Sequence, residues 1–316
     1  MKIAVLDAAT LGSDLDLSPL SQFGEVRVFP ASAPDRIAEN LGDCEVAVIN
    51  KLKMNAVTLA DAKNLRLICV FATGFDNIDL NFCRARGIAV CNVVGYSTDS
   101  VAQLTVAMAL SLATNLPAFN RHVESGAYSA GGVANCLTPV YHEIAGKTWG
   151  VAGYGNIGRA VARAARALGC SVIAYKRTTA PDVETVDLDT LCRRSDILSV
   201  HLPLNDGTRG LFGAEEFAKM KKNAIFINVA RGAVTDEQAL ADAVAQGRLG
   251  GLGADVYSTE PFPETHPFFA IRQLPNVCLT PHMAWGAAEA RERCLGEICE
   301  NIRSFLAGGA RCRVDL

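Results

Sequence analysis

No excess of basic charge runs through this chain of 316 residues: 30 Lys and Arg stand against 33 Asp and Glu, for a formal net charge of −3 and a pI near 6.0. That balance gives no electrostatic footprint for a nucleic-acid partner. No apolar run approaches the ~20 residues that span a bilayer, so no membrane association is expected. The opening Met1-Lys-Ile-Ala-Val-Leu-Asp7 reads as a strand and lacks the long apolar stretch and cleavage site of a signal peptide. The eleven cysteines include no C-x-x-C pair, and Cys69, Cys91 and Cys278 lie inside apolar runs. This pattern argues against a disulfide scaffold and a zinc site. No metal is expected, and the thiols read as reduced core cysteines of a cytoplasmic protein. Low-complexity tracts and short repeats are also missing. What the chain does have is bulk: half of its residues are hydrophobic, and its length suits two domains with substantial cores.

The most informative positive feature is a glycine-rich turn in mid-chain, Val151-Ala-Gly153-Tyr-Gly155-Asn156-Ile157-Gly158. A short apolar strand, Trp149 to Ala152, precedes it, and a helical pattern, Arg159 to Leu168, follows. In a dinucleotide fingerprint, Gly153 would allow the tight turn, Gly155 the close approach of a pyrophosphate, and Gly158 the packing of helix on sheet. The helix N-terminus would offer N–H groups and a positive dipole end to the phosphates. Alone, G-x-G-x-x-G in a chain with 27 glycines is compatible with a plain turn. A second strand, Ser171 to Tyr175, supplies the βαβ spacing that the fingerprint requires.

Strand and helix signals alternate along the rest of the chain. Strands are expected at Lys2–Leu6, Val26–Phe29, Val46–Asn50, Leu67–Phe71, Ala89–Asn92, Ile197–His201, Ala224–Val229, Gly251–Val256 and Val277–Thr280. A long apolar helix is predicted over Ser100–Leu116, capped by Asp99 or Ser100 and ended by Pro117. Further helices fit Asp236–Gln246 and Ala287–Leu306. Such alternation implies parallel sheets with helices on both faces. The two long helices bracket the fingerprint half, which suggests an insertion. The expected architecture is α/β with two doubly wound parallel-sheet domains. A Rossmann nucleotide-binding domain, residues 99–284, is inserted into a flavodoxin-like substrate domain, residues 1–98 and 285–316, with an active cleft between them. The apolar helix and an irregular arm, Asn120–His142, suggest a subunit interface.

Three segments follow strands in the second half: Ile227-Asn-Val229-Ala230-Arg231-Gly, Asp255-Val-Tyr-Ser-Thr-Glu260-Pro and Thr280-Pro-His282-Met-Ala-Trp285. Upstream lie Ala72-Thr73-Gly74-Phe-Asp-Asn-Ile-Asp79 and Tyr96-Ser-Thr-Asp-Ser-Val-Ala-Gln103. This ordered set resembles the D-2-hydroxyacid dehydrogenase family over nearly the whole chain, and most closely its glycerate dehydrogenase (hydroxypyruvate reductase) branch. The resemblance implies an NAD(P)-dependent oxidoreductase, with Arg231, Glu260 and His282 as its catalytic residues and a homodimer as its assembly. It implies cofactor contacts from Thr105, His201, Pro203, Thr208, Val229, Ala230 and Asp255 beside the fingerprint residues. It implies substrate contacts from Lys51, Thr73, Gly74, Arg231 and Trp285, although Lys51 can equally be a solvated surface lysine and Trp285 packing at a domain seam.

The chemistry of these residue types agrees with that resemblance. A 2-keto acid such as hydroxypyruvate or glyoxylate carries a carboxylate beside a carbonyl, and a guanidinium can fork onto either. The alkoxide that develops on hydride addition needs a proton, and an imidazole titrates near neutrality. A carboxylate such as Glu260 would orient that ring. The resemblance implies that the His201 segment lines the cofactor by backbone contact, whereas His122, His142 and His266 are read from the sequence as loop residues. At the end of the second strand of the fingerprint unit, where NAD-specific folds place an acid on the ribose hydroxyls, the sequence reads Tyr175-Lys176-Arg177-Thr-Thr. The nearest acids, Asp182 and Glu184, lie beyond Pro181. Lys176 and Arg177 therefore point to NADP(H) in preference to NAD(H); the alternative is that both simply face solvent and NAD(H) is used without that contact. The rival reading is a non-catalytic regulatory protein that senses the cofactor on the same fold.

Overall fold

Twelve strands, paired in parallel, form two separate sheets in a computed structural model that describes all 316 residues. The chain divides into two units, Met1–Ser97 with Trp285–Leu316, and Thr98–Ala284.

The first unit holds β1 (Lys2–Val5), β2 (Glu25–Val28), β3 (Val46–Ile49), β4 (Leu67–Val70) and β5 (Ala89–Cys91), in the order β2-β1-β3-β4-β5. This is the flavodoxin-like order of a doubly wound sheet. Side chains alternate across the pleat. Ile3, Val5, Val46, Val48, Leu67 and Cys69 join one core with Ala290, Cys294, Leu295, Ile298 and Ile302 of the helix Ala288–Leu306. Ala4, Ala47, Ile49, Ile68 and Val70 join another on the opposite face, with Ile37, Leu41 and Cys83. Both faces being covered is why these strands read as continuous apolar runs.

The second unit holds β6 (Thr148–Ala152), β7 (Ser171–Tyr175), β8 (Glu184–Val186), β9 (Ile197–Val200), β10 (Ile225–Asn228), β11 (Gly251–Ala254) and β12 (Val277–Leu279), ordered β12-β11-β10-β9-β6-β7-β8. The order reverses between β6 and β9, the switch point at which doubly wound sheets bind ligands beyond their strand C-termini. Trp149 is fully buried in β6, and its indole N–H donates to Ser199 Oγ at 2.9 Å across to β9. Phe226 of β10 stacks edge-on with Phe212 and Phe217, each at 5.3 Å, in the core on one face.

Several elements differ from expectation. The long helix runs Thr98–Thr114, so Asp99 and Ser100 lie within its first turn rather than capping it. Ser100 Oγ instead donates to Ala284 O at 2.5 Å, tying together the two ends of the unit. Pro117 does not end this helix. Asn115 does so by taking a left-handed conformation, φ 53°, and Pro117 sits in the first turn of a new helix, Leu116–Glu124, where its missing N–H costs nothing. The two helices meet at 64°, and no single helix is long and apolar enough to cross a membrane. The arm expected to be irregular carries most of that second helix and a short one, Ala127–Ala130. His122 is accordingly helical. The strand β8 was not expected, and most strands end one or two residues earlier than predicted.

Candidate active site

All seven strands of the second unit are parallel, so the loops after β6, β7, β9, β10, β11 and β12 emerge at one edge of the sheet. The fingerprint follows β6. Gly153 has φ 98°, and a Cβ there would stand 2.8 Å from the carbonyl carbon of His201. Gly158 packs so closely that a Cβ would meet Gly153 O at 2.2 Å. At Gly155, by contrast, nothing lies within 4 Å of a Cβ position. The helix Asn156–Ala167 starts directly on Gly155 without a side-chain cap, so its first N–H groups are presented at this edge. It begins three residues earlier than predicted, which puts Asn156, Ile157 and Gly158 in its first turn. Beside it, His201 Nε2 meets Ser199 Oγ at 2.9 Å while Nδ1 is enclosed with no hydrogen-bond partner. Burial pushes this imidazole down to about 3. An open glycine cradle, an uncapped helix N-terminus and an orphaned ring nitrogen fit a dinucleotide.

The catalytic candidates stand on three adjacent strands. Arg231 follows β10. Its backbone is shaped by Asn228, whose Nδ2 donates to Arg231 O at 2.9 Å and whose Oδ1 accepts from Ala230 N at 3.0 Å. Arg231 Nη1 donates to Ala230 O at 2.8 Å. Glu260 follows β11 and His282 follows β12. The structure brings these two together, with His282 Nδ1 2.6 Å from Glu260 Oε2 and side chains 22% and 29% exposed. Glu260 Oε1 accepts from Tyr257 N at 3.0 Å, so the carboxylate is oriented at both oxygens.

His282 itself has φ 52°, in a left-handed region that costs a non-glycine residue about 1–2 kcal/mol. Asp255 compensates. Fully buried, its Oδ1 accepts from Thr280 Oγ1 at 2.6 Å and Met283 N at 2.8 Å, and its Oδ2 from Ala284 N at 2.8 Å. Burial pushes the Asp255 carboxyl above its ordinary value, against the pull of those hydrogen bonds and of the His282 charge. Asp255, expected as a cofactor contact, has both carboxylate oxygens taken up by the turn that carries His282, an anchoring role that the sequence did not reveal.

The remaining candidates fall as follows. Val229 and Ala230 are buried at the end of β10. Thr208 Oγ1 donates to Pro203 O at 2.7 Å and accepts from Asn205 N at 2.8 Å, closing the loop after β9 on itself. Thr105 is fully buried, and its hydroxyl donates to Val101 O of its own helix at 2.7 Å. Lys176 is half-buried and Arg177 exposed just past β7. The two acids nearest them are engaged elsewhere: Asp182 with Tyr154 Oη at 2.9 Å and Arg159 Nη1 at 3.1 Å, Glu184 with Arg194 Nη2 at 3.0 Å.

In the first unit, Lys51 N donates to Asp7 Oδ2 at 2.6 Å and Asn50 N to Asp7 Oδ1 at 2.9 Å. Asp7 is a buried carboxylate, pushed up by burial, that sets the loop after β3. Thr73 Oγ1 donates to Val93 O at 2.7 Å, beside a half-buried Gly74. The Trp285 indole packs edge-on against Phe71 and Tyr96, with ring centroids 6.3 and 6.4 Å apart.

One cluster escaped the sequence reading altogether. His266, expected in a loop, is buried and caps the helix Pro267–Ile271, with Nε2 2.9 Å from Glu237 Oε2. Glu237 lies 29 residues away in the first turn of the helix Glu237–Ala245, so only folding brings the pair together.

Comparison with known proteins agrees with this architecture. Residues 106–284 match the family described as D-isomer specific 2-hydroxyacid dehydrogenase, NAD binding domain. The chain is 37% identical to the glycerate dehydrogenase of Methylorubrum extorquens, over 87% of each chain. It is 33% identical to the hydroxypyruvate reductase of Blautia hydrogenotrophica, over 98% of each. The solved D-lactate dehydrogenase of Aquifex aeolicus, complexed with NAD and lactic acid, superposes with a TM-score of 0.86 at 26% identity, covering 100% of this chain and 99% of that one. Matched through its nucleotide-binding unit and along nearly its whole length, the chain belongs to the D-isomer specific 2-hydroxyacid dehydrogenase family, oxidoreductases acting on a CH–OH donor.

Proposed function

We propose that this dehydrogenase interconverts a small 2-keto acid, hydroxypyruvate or glyoxylate, with its D-2-hydroxy acid, and that His282 and Glu260 handle the proton. The observation that carries this reading is the 2.6 Å contact between His282 Nδ1 and Glu260 Oε2 on loops from neighbouring strands. With Nδ1 committed to the carboxylate, Nε2 is the nitrogen that gives a proton to the substrate oxygen during reduction and takes it back during oxidation. The Glu260 carboxylate fixes the plane of the ring. Arg231 supplies a planar cation for the substrate carboxylate or the polarised carbonyl oxygen. The bound nicotinamide cofactor supplies or accepts the hydride.

Lys176 and Arg177 support NADP(H) as the preferred cofactor. They stand where an acid would otherwise take the ribose hydroxyls, and the nearest acids, Asp182 and Glu184, are already paired with Arg159 and Arg194. Initial rates with NADPH and NADH against hydroxypyruvate, glyoxylate, pyruvate and a branched 2-keto acid test both parts. The expected result is turnover of the two small acids, with higher kcat/KM for NADPH and a reversal toward NADH in a Lys176→Asp, Arg177→Ser variant. A clear NADH advantage in the unaltered protein contradicts the cofactor assignment. Tight cofactor binding without turnover of any acid contradicts the enzymatic one and favours a cofactor sensor.

A further inference from the structure

Behind the candidate dyad, the same unit encloses a carboxylate and an imidazole that the proposed chemistry does not use. The side chains of Glu237 and His266 are only 6% and 4% exposed. Removing such a pair from water is costly, and apolar residues of similar volume often serve a fold as well or better. What the pair supplies instead is direction. Glu237 Oε1 accepts from Ser258 N at 2.9 Å, and Oε2 accepts from Ser258 Oγ and from His266 Nε2. His266 Nδ1 accepts from Phe268 N at 3.2 Å, so the ring carries its proton on Nε2 and points it at Glu237. Phe262 and Phe268 pack on the imidazole at 5.0 and 5.1 Å, which leaves it little freedom to turn.

Ser258, gripped at both its N–H and its hydroxyl, is next to Tyr257, and Tyr257 reaches both members of the dyad. Its N–H donates to Glu260 Oε1 at 3.0 Å, and its hydroxyl donates to Thr280 O, two residues before His282, at 2.8 Å. The backbone of Gly232, adjacent to Arg231, lies so close that a Cβ would stand 2.0 Å from the Tyr257 carbonyl carbon.

We propose that Glu237, acting with His266 and Ser258, is a positioning residue for the reaction: it holds the Tyr257–Glu260 segment so that the Glu260 carboxylate meets His282 Nδ1. This rests on the reading of His282 and Glu260 as the proton-handling pair. Charge-assisted bonds to a buried anion are short and directional, and displacement of a reacting group by about 1 Å can cost on the order of 100-fold in rate.

The test uses the full-length protein with NADPH and, separately, hydroxypyruvate and glyoxylate, in four variants: Glu237→Gln, His266→Asn, Glu260→Gln and the double variant Glu237→Gln/Glu260→Gln. Glu237→Gln places an amide donor against donors. His266→Asn keeps an acceptor for Phe268 N and removes the bond to Glu237 together with the ring contacts to Phe262 and Phe268. The expected result is a fall in kcat of roughly 10- to 100-fold for Glu237→Gln and a smaller fall for His266→Asn. KM and cofactor affinity should stay within about twofold, as for an interaction felt mainly in the transition state. In the Glu260→Gln background, Glu237→Gln should lower kcat no further, because the strut works through Glu260; a purely structural role would add its effect there. Unchanged kcat in both Glu237→Gln and His266→Asn, with Glu260→Gln impaired, overturns the strut alone. Unchanged kcat in Glu260→Gln overturns the dyad, and the strut with it. If Glu237→Gln shows no cooperative unfolding transition, His266→Asn decides the matter: unimpaired kcat in that variant contradicts the proposal.

Discussion

His201 shows how one side chain can carry a trace of a ligand site into the thermodynamics of the folded protein. Its Nδ1 is enclosed without a partner, and burial brings the imidazole down to about 3 from an ordinary value of 6.5. The sign follows directly. As pH falls below 6.5 the unfolded chain takes up a proton that the folded chain refuses until about 3, so stability is lost progressively across that interval. A His201→Gln variant removes this titration. In melts of the cofactor-free protein from about pH 7 to about pH 4, its Tm is expected to gain on that of the unaltered protein as the pH drops. Parallel Tm curves would show that the buried imidazole does not titrate as described. Asp255 and Asp7 make the complementary point. Each is a buried carboxylate whose oxygens are filled by backbone N–H groups of a neighbouring loop, and each places the functional candidate on that loop, His282 or Lys51. Neither role is visible along the chain, because the bonds span 25 to 44 residues.

At the scale of elements, the site is a property of strand ends, and strands were the most legible part of the sequence. Ser171–Tyr175 has its expected bounds, since its Ser-Val-Ile-Ala-Tyr run begins just after Gly169-Cys170 and stops at the charged Lys176-Arg177. β8 was missed because it is a three-residue edge strand, Glu184–Val186, with no buried residue to mark it. Pro117 misled because proline forbids a helix interior but suits a helix start, and the actual terminator, Asn115, acts through a left-handed backbone that composition does not announce. Glycine at 232 is an element-scale constraint of the same kind. It lets the loop after β10 touch the loop after β11, and a Cβ there would stand 2.2 Å from Ser258 N. Gly232→Ala is expected to lower kcat by on the order of 100-fold through displacement of Arg231 and Glu260. Its overpacking cost should be about 1–3 kcal/mol in a denaturant melt. A kcat close to that of the unaltered protein would mean that the contact has slack.

For the whole molecule, the doubly wound architecture was legible because βαβ alternation leaves a strong periodic signal, and the three segments after the fingerprint stand out because each follows a strand. The pairing of Glu260 with His282 was an expectation from residue chemistry and resemblance, and the 2.6 Å contact gives it a geometry. The Glu237–His266 cluster was invisible, since a glutamate in a helix's first turn and a histidine before a proline each have an ordinary local explanation. We propose proton transfer at His282 and cofactor binding at the fingerprint edge as separate functions of the same unit. The most direct measurement is the reduction of hydroxypyruvate or glyoxylate by a His282→Ala variant, with cofactor affinity determined on the same preparation by fluorescence titration. The expected result is a kcat lower by roughly 10²- to 10⁴-fold with cofactor affinity nearly unchanged. A kcat close to that of the unaltered enzyme, or loss of turnover accompanied by loss of cofactor binding, would contradict it.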